Sequence, residues 1–215
     1  MPKRGRTSYF TNRGKHFGNL WAVYSFRAKD VLLLSTDRQL AHWLLYLEFS
    51  SSIASFSFKS GTKEFSEKPN YILNYHAEVL PLEGCNELHY LQVEGNTESC
   101  AEKILVARKY KYNYREFNDE DWLPRRDKIL PLLKVASYLA GSRSLYIPPT
   151  LLEKALHYIL TLRSGTLRGF LSALADYEKN LILVVFSRAY SERLISVDFE
   201  LSFFSQDTHW RLNEI

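Results

Sequence analysis

Two histidines and one glutamate have side chains of the types that can hold a metal ion. His76 and Glu78 are two positions apart in a run expected to form a strand, and His89 lies on the strand expected to follow. Because side chains two residues apart in a strand point to the same side, His76 and Glu78 share a face. Two histidines and a carboxylate can bind Zn²⁺ or Mn²⁺. The spacing fits partly buried, hydrogen-bonded histidines as well, and the sequence leaves both interpretations open.

Basic residues are concentrated at the N-terminal end, although the formal net charge of the chain is only +4. Residues 1–19 are rich in Gly, Thr, Arg and Asn and have no sustained apolar period, which is typical of a mobile basic arm. We expect this arm to neutralise DNA phosphates, with Tyr9 and Phe10 stacking at a distorted DNA end. A solubilising tail is the alternative. The predicted DNA-binding residues are Lys3, Arg4, Arg6, Arg13 and Lys15.

Further basic residues are interrupted by the acidic run 116–121, so we expect a mixed, solvated surface there. They are Lys109, Lys111, Arg115, Arg125 and Arg126.

Composition limits the class of protein. With 215 residues and 46% hydrophobic content, the chain can bury a substantial core in one large or two small domains. It contains no apolar run near the roughly 20 residues of a membrane helix, and its start lacks the apolar stretch of a secretory signal. We therefore expect a soluble cytoplasmic protein without a membrane partner. Cys85 and Cys100 are too few for a disulfide framework and are interpreted as plain thiols.

The apolar pattern of the first 120 residues alternates between strand and helix periods, which predicts an α/β core. In chain order, the predicted elements are a hairpin over 20–34, a buried helix over 38–49, a strand over 53–58, a polar loop over 59–70, paired strands over 71–82 and 88–94, a helix over 102–111 and a strand over 114–117. Ile104, Leu105 and Ala107 are predicted to face inward from the second helix.

Residues 121–139 are expected to be mostly helical, with interruptions near Pro124 and Pro131. The run 141–144 and Pro148-Pro149 then predict a domain boundary, which gives an arm (1–19), an α/β domain (20–140) and a C-terminal domain (141–215). The last domain should contain helices over 150–162, 166–176 and 179–194 and a hairpin or wing over 195–212. Arg188 and Arg193 on its last helix, with Arg168 on the helix before, fit DNA contact. The apolar run 181–186 is expected to be core, and packing against a partner is the alternative to DNA contact.

Several motifs in this order resemble one known family. They are Tyr24-Ser25 on a strand, a helix from Ser35-Thr-Asp37 to Leu47-Glu-Phe49, the strand end Gln92-Val93-Glu94, and the closing runs 194–199 and 208–212. The chain resembles TnsA, the endonuclease subunit of a heteromeric DNA transposase. The resemblance implies a PD-(D/E)XK nuclease fold, a mixed sheet flanked by helices, with a winged-helix-like C-terminal domain. It also implies Mg²⁺ as cofactor and, as partners, transposon-end DNA, a DDE-type transposase subunit and an AAA+ ATPase regulator.

The catalytic positions that the resemblance implies are substituted. The family's helical Glu falls on Gln39, its strand Asp on Glu78, and its Gln-Val-Lys on Gln92-Val93-Glu94, while a second acidic helix position becomes Ser50. Gln39 removes one negative charge from a dication site, and Glu94 puts an anion where a lysine would assist the attacking water. Glu78 and Gln92 would be the remaining metal ligands. We therefore expect a degenerate nuclease site that is weak or inactive.

Two alternatives stay open at this level. In the first, the ligands have moved to Glu48, Glu78 and Glu94, with Lys103 as the cation, and the protein is an active Mg²⁺-dependent endonuclease that nicks the 5′ ends of a transposon. In the second, the chain is a stand-alone DNA-binding regulator or defence factor on the same fold.

Overall fold

The structure, a computed structural model, describes residues 20–59, 61–65, 71–92, 100–199 and 205–213. The predicted basic arm and Glu94 lie outside the described residues.

The described chain begins with the predicted hairpin and the predicted buried helix. Strands β1 (Trp21–Ser25) and β2 (Asp30–Leu34) are antiparallel. Helix α1 (Asp37–His42) begins at Thr36, whose hydroxyl accepts from the backbone N–H of Gln39, and continues as a π-helical segment, Trp43–Glu48. The apolar residues at helical spacing are buried, as predicted: Leu40, Trp43, Leu44 and Leu47.

Six further strands and one helix form the sheet region. They are β3 (Ile53–Ser57), β4 (Gly61–Phe65), β5 (Tyr71–Tyr75), β6 (Ala77–Pro81), β7 (Asn86–Leu91), α2 (Cys100–Lys109) and β8 (Tyr112–Phe117). The main sheet has the order β3-β6-β7-β8; its first two pairs are antiparallel, and β7 and β8 are parallel. The fold is therefore of the mixed α+β class.

Two predictions for this region are wrong. Part of the expected polar loop is strand β4, which pairs with β5. The strand was missed because it contains the charged residues Lys63 and Glu64, and Phe65 is its buried apolar residue. The expected long strand bends at His76 and divides into β5 and β6. The predicted turn after it is confirmed, and Gly84 there has a φ of 96°, a conformation that favours glycine.

The main sheet has two packed faces. The α1 face carries Ala77 and Val79, which share an apolar cluster with Trp43 and Leu44. The α2 face carries Leu88 and Tyr114, which pack with Val106 and Ala107 of helix α2. On α2 itself, Ala107 is buried as predicted, but Leu105 is 61% exposed, and Lys103 and Val106 face inward instead. The lysine takes an inward position because a carboxylate lies opposite it on β8.

The next segment is helical, as predicted, but only one of its two prolines interrupts it. It consists of α3 (Asp119–Trp122), a 3₁₀ segment (Leu123–Lys128) and α4 (Ile129–Gly141). Pro124 lies in the 3₁₀ segment. Pro131 lies within α4, in the first turn, where backbone N–H groups have no partner inside the helix and proline is tolerated.

The C-terminal elements follow the predicted order, with one additional strand. They are α5 (Pro149–Leu162), β9 (Ser164–Thr166), α6 (Leu167–Ala173), α7 (Lys179–Ser191), β10 (Ile195–Asp198) and β11 (His209–Leu212). The three strands form an antiparallel sheet in the order β10-β11-β9. Strand β9 escaped prediction because it has three residues and includes Gly165.

One apolar cluster extends across the predicted boundary at residue 141. Helix α4 packs on both α7 and β1, and the cluster includes Leu44, Leu139, Ile159 and Phe186. Helix α7 is buried from Ile182 to Ser187. Among the described residues, no helix is long and apolar enough to span a membrane.

Candidate functional site

Gln39, the first family position, stabilises its own helix start. Its Oε1 accepts hydrogen bonds from the backbone N of Ser35 at 2.6 Å and from the Ser35 hydroxyl at 3.1 Å. These bonds tie the residue before the Thr36 cap to the first turn of the helix. Helix α1, which carries Gln39, packs on the α1 face of the sheet.

Glu78, the second position, lies on the opposite face and is held by a lysine. It stands directly across from Leu88 on the α2 face, and its carboxylate is 3.2 Å from Nζ of Lys63. The same ammonium donates to the Tyr112 hydroxyl at 2.6 Å. Burial opposes the charge of Lys63, but the bonds to Tyr112 and Glu78 outweigh it and raise the pKa of Lys63. The negative charge of Glu78 is thus offset within the protein.

Gln92, the third position, belongs to a polar cluster at the carboxyl ends of the parallel strands β7 and β8. Its side-chain amide nitrogen donates to the Glu116 carboxylate, and its backbone carbonyl accepts from the Arg38 guanidinium at 3.2 Å. Glu116 also accepts from Nζ of Lys103 at 3.1 Å and from the Tyr114 hydroxyl at 3.2 Å. Because the Glu116 side chain is only 6% exposed, this cluster is an internal network. Burial and Glu116 raise the pKa of Tyr114.

The described family positions do not meet in one cleft. Gln92 is four residues beyond Leu88, the partner of Glu78, so the two are separated by about 13 Å along β7. Gln39 is on a helix that packs against the other face. The expected pairing of Glu78 with Gln92 as metal ligands therefore does not assemble in this arrangement.

The relocated ligand set does not assemble either, because Glu48 anchors the β1–β2 hairpin. Its carboxylate accepts from the Ser25 hydroxyl at 2.6 Å and from the backbone N of Phe26 and Arg27 at 2.7 and 3.1 Å. The indole of Trp43 donates to it at 3.2 Å. With 1% exposure, Glu48 has no access to a substrate.

These residues do not fit the Mg²⁺ that the resemblance implies. Mg²⁺ takes oxygen ligands in open octahedral geometry, usually with several waters. On the α2 face, Glu78 and Glu116 each carry a lysine ammonium instead. Among the described residues, no group of three or more His, Cys, Asp or Glu side chains is arranged to hold a metal ion.

The histidines follow the hydrogen-bonded interpretation. His76 stands at the bend before β6, where its Nδ1 accepts from the backbone N of Leu91 at 2.9 Å and its ring lies 4.8 Å from that of Tyr90. His89 points to the α1 face and Glu78 to the α2 face. The predicted combination of His76, Glu78 and His89 therefore does not converge on one ion.

His89 is the centre of a buried chain of titratable groups that the sequence did not predict. Its Nε2 is 2.8 Å from the Glu87 carboxylate, and its Nδ1 is 3.1 Å from Nε2 of His42. Burial lowers the pKa of His89 and holds the pKa of His42 well below its usual range, and the bond from His89 lowers the pKa of Glu87. Neutral His89 thus donates from Nε2 to ionised Glu87 and accepts from His42 at Nδ1. Nδ1 of His42 is buried without a described partner.

The Glu87 end of this chain opens into a cleft of about 560 Å³ on the α1 face. The cleft lies between the π-helical segment, the turns at 50–52 and 81–83, strand β8 and the 3₁₀ segment. Its polar lining residues are Tyr46, Ser50, Ser52, Glu83, Glu87, His89, Arg115 and Arg125. Ser50, which stands at an acidic position of the family, contributes a hydroxyl here and no carboxylate.

The arginines of helix α7 and the segment after it face the protein interior. Nε of Arg188 is buried without a described partner, and Arg193 donates to the carbonyl of Ile53, the first residue of β3. Helix α7 packs against α4. The apolar first half of helix α7 thus packs within the same chain.

The chain matches no protein-family model and no curated protein.

Proposed function

We propose that this chain is a TnsA-like subunit of a heteromeric DNA transposase, which binds transposon ends and partner subunits while its endonuclease site is degenerate and weak or inactive. Its partners would be transposon-end DNA, a DDE-type transposase subunit and an AAA+ ATPase regulator. The observation that carries the proposal is the order of elements around the main sheet.

That order runs helix, three antiparallel strands, helix, parallel strand. It consists of α1 with its π-helical extension, then β3, β6 and β7, then α2 and β8. This is the arrangement expected for a PD-(D/E)XK nuclease core, with β4 and β5 as an insertion between the first two sheet strands. It supports the fold on which the resemblance is based.

The C-terminal unit adds independent support. Its order is α5, β9, α6, α7, β10, β11, with β11 in the middle of the small sheet. A winged helix has this order, in which the third helix normally enters the major groove of DNA. Here that helix, α7, is buried, so the unit would serve as a packing element and DNA contact would come from other surfaces.

The degenerate site rests on the substitutions that the resemblance implies, since Gln39 and Glu78 lie on opposite sides of the sheet and do not form one cleft. Gln39 caps a helix, Glu78 is neutralised by Lys63, and Gln92 is bonded within a buried network. A nuclease that lacks converging carboxylates loses the electrostatic stabilisation on which phosphodiester cleavage depends. An element that carries such a subunit would transpose without cutting the non-transferred strand and would form cointegrates.

The proposal is tested by fluorescence anisotropy of the full chain with a labelled duplex that carries a transposon end. We expect binding whose logarithmic affinity falls linearly with the logarithm of salt concentration, because phosphate contacts release counterions. An unrelated duplex of equal length is the control for end specificity. No binding to either duplex between 50 and 200 mM salt contradicts the proposal.

The stand-alone regulator is distinguished by the neighbouring genes. Adjacent reading frames for a DDE-type transposase and an AAA+ ATPase are expected for a transposase subunit. Their absence, together with binding to the labelled duplex, would instead support the regulator.

A further inference from the structure

We propose that the cleft on the α1 face is a binding site for a phosphate group, held by the guanidinium groups of Arg115 and Arg125. This inference rests on the proposed function, because the bound phosphate would belong to the DNA backbone. It differs from the predicted nuclease centre, because Ser50 lines the cleft but neither Glu78 nor Gln92 does.

Arg125 is held in place by an aromatic ring and keeps its donors unused. Its guanidinium carbon lies 5.0 Å from the centre of the Tyr46 ring, and both residues line the cleft. Within the described part of the chain, no hydrogen bond or ion pair engages the guanidinium. A stacked guanidinium with open N–H groups is preorganised for two parallel hydrogen bonds to an oxyanion.

Arg115 approaches the same cleft from strand β8 in a similar state. Its guanidinium carbon is 5.0 Å from the centre of the Phe117 ring, and its side chain is 48% exposed. One nitrogen, Nη1, contacts the Glu87 carboxylate at 3.4 Å, which leaves the remaining donors for a ligand. Two arginines on different elements therefore line one cavity.

The Glu87–His89–His42 chain fixes the position of Arg115. Glu87 is 15% exposed and is bonded to His89, which is itself bonded to His42 in the core. The Glu87 carboxylate therefore cannot rotate away without breaking a buried bond. Glu87 is a positioning residue that offsets part of the arginine charge, and the second acid of the cleft, Glu83, is exposed on the β6–β7 turn.

The opposite wall of the cleft is electropositive as well. Arg27 donates to the carbonyls of Ser50 and Ile53, and Arg193 donates to the same Ile53 carbonyl. Burial and the nearby Arg193 lower the pKa of Arg27 to about 10. The Glu48 carboxylate offsets part of the Arg27 charge and raises its pKa against these two effects. The hydroxyls of Ser50 and Ser52, 3.0 Å apart, lie on the cleft side of the turn at 50–52.

Phosphate fits this combination better than other ligands do. Guanidinium forks match the oxygens of a phosphate bidentately, and serine hydroxyls add neutral donors. A volume of about 560 Å³ exceeds that of one phosphate and accommodates an attached sugar. The shared chemistry is a phosphate ester, which either a DNA strand or a free mononucleotide provides.

The first test measures duplex binding by anisotropy for Arg115→Gln and Arg125→Gln, with Arg126→Gln as matched control. Arg126 neighbours Arg125, is 75% exposed and does not line the cleft, so its substitution removes the same charge. We expect each cleft variant to lose about 5-fold to 20-fold in affinity and its salt slope to fall by about one, because one phosphate contact is lost. Equal binding by the cleft variants and the control overturns the proposal while leaving the proposed function intact.

The second test uses the histidine side-chain resonances of the full chain. Addition of inorganic phosphate or dAMP should shift the ring signals of His89, which lines the cleft, and leave those of His157 on helix α5 unchanged. If dAMP shifts the His89 signals but no duplex binds, the phosphate site is supported with a free nucleotide as its ligand. The proposed function is then contradicted. Unchanged His89 signals with duplex, phosphate and dAMP overturn the site.

The variant Arg115→Lys distinguishes a loss of phosphate recognition from a folding defect. This substitution keeps the charge but loses the fork, so binding should fall less than in Arg115→Gln. Wild-type affinity in Arg115→Lys, with an unchanged thermal midpoint, would contradict bidentate recognition, because an ammonium supplies charge without the fork.

Discussion

Buried polar residues of this protein are explained by their partners, one residue at a time. Glu48 serves the hairpin turn, Lys103 neutralises Glu116, and His42 supports His89. Each of these groups would be costly to bury alone, because desolvation of an unpaired charge or donor costs several kcal/mol. Surface residues with unused hydrogen-bond donors, such as Arg125, are therefore the ones available to bind a ligand.

Glu48→Ala tests the structural role of this acid. Removing the carboxylate leaves the Ser25 hydroxyl, the Trp43 indole and two backbone donors unpaired in the interior. We expect the free energy of unfolding to fall by about 3–5 kcal/mol. Urea denaturation measures this, with Glu153→Ala on the exposed side of α5 as control, for which a change within about 0.5 kcal/mol is expected. A loss of DNA processing with unchanged stability would instead point to a ligand role.

The histidines predict acid destabilisation. The pKa values of His42, His76 and His89 are lowered in the folded state, chiefly by burial, so the unfolded chain binds more protons below the ordinary histidine pKa of about 6.5. Their contribution to stability is present above that pH and is lost as pH falls towards the folded values. Glu87, whose pKa is also lowered, adds a further loss only below the ordinary glutamate pKa of 4.5.

The measurement is the urea midpoint as a function of pH for the wild type and for His42→Asn. Asparagine keeps a donor for His89 but does not titrate, so the midpoint should fall less between pH 6.5 and 5 in the variant. An equal fall of the urea midpoint with pH in the two proteins would show that His42 is not buried in the neutral form.

At the scale of elements, burial decides what a helix can do. Helix α7 is buried from Ile182 to Ser187 and packs on α4. Helix α5, in contrast, exposes Leu152, Leu156 and Leu160. The apolar content of α7 is therefore part of the core.

Phe186→Ala and Leu156→Ala compare these two helices. Phe186 is fully buried and contacts the Phe170 ring at 5.4 Å, so its truncation should cost about 3–5 kcal/mol of unfolding free energy. Leu156 is 45% exposed, and its truncation should cost well below that. Similar small losses for both would mean that α7 is not packed in the core.

The helices and strands that were predicted correctly have regularly spaced apolar residues and recognisable capping or turn residues at their ends. Helices α1, α5 and α7 and the hairpins have apolar residues at regular spacing, and their ends carry Thr36, Pro149 or turn residues. Strands β4 and β9 lack that signal, because charge or glycine fills three of the five positions of β4 and β9 is Ser-Gly-Thr, without an apolar residue. The inward face of α2 was misjudged because the sequence does not show that Glu116 would receive Lys103.

The candidate cleft was beyond sequence reasoning for a related reason. Arg115 and Arg125 belong to a mixed run of charges and were expected to be solvated. Their approach depends on β8 pairing in parallel with β7 and on Tyr46 projecting from a π-helical segment. Long-range pairing of this kind leaves no local pattern.

At the scale of the whole molecule, the two predicted domains share one apolar cluster. The four tryptophans are distributed through both, with Trp43 and Trp210 buried on either side of residue 141. Unfolding of one unit would expose the apolar face of the other. The described units should therefore unfold together.

Equilibrium denaturation followed by tryptophan fluorescence and by far-UV circular dichroism tests this cooperativity. We expect coincident single transitions, since the shared core couples the units. Two separated transitions would support independent domains on either side of residue 141.

The most direct test of the proposed function is strand-specific cleavage of transposon-end DNA by the full chain under conditions where anisotropy shows it bound. With Mg²⁺ or Mn²⁺ present, we predict no nick above that of the protein-free control, and the same result for Glu78→Ala. A metal-dependent nick at the 5′ end of the element that Glu78→Ala abolishes would contradict the account, because it would require Glu78 to leave Lys63 and act in catalysis.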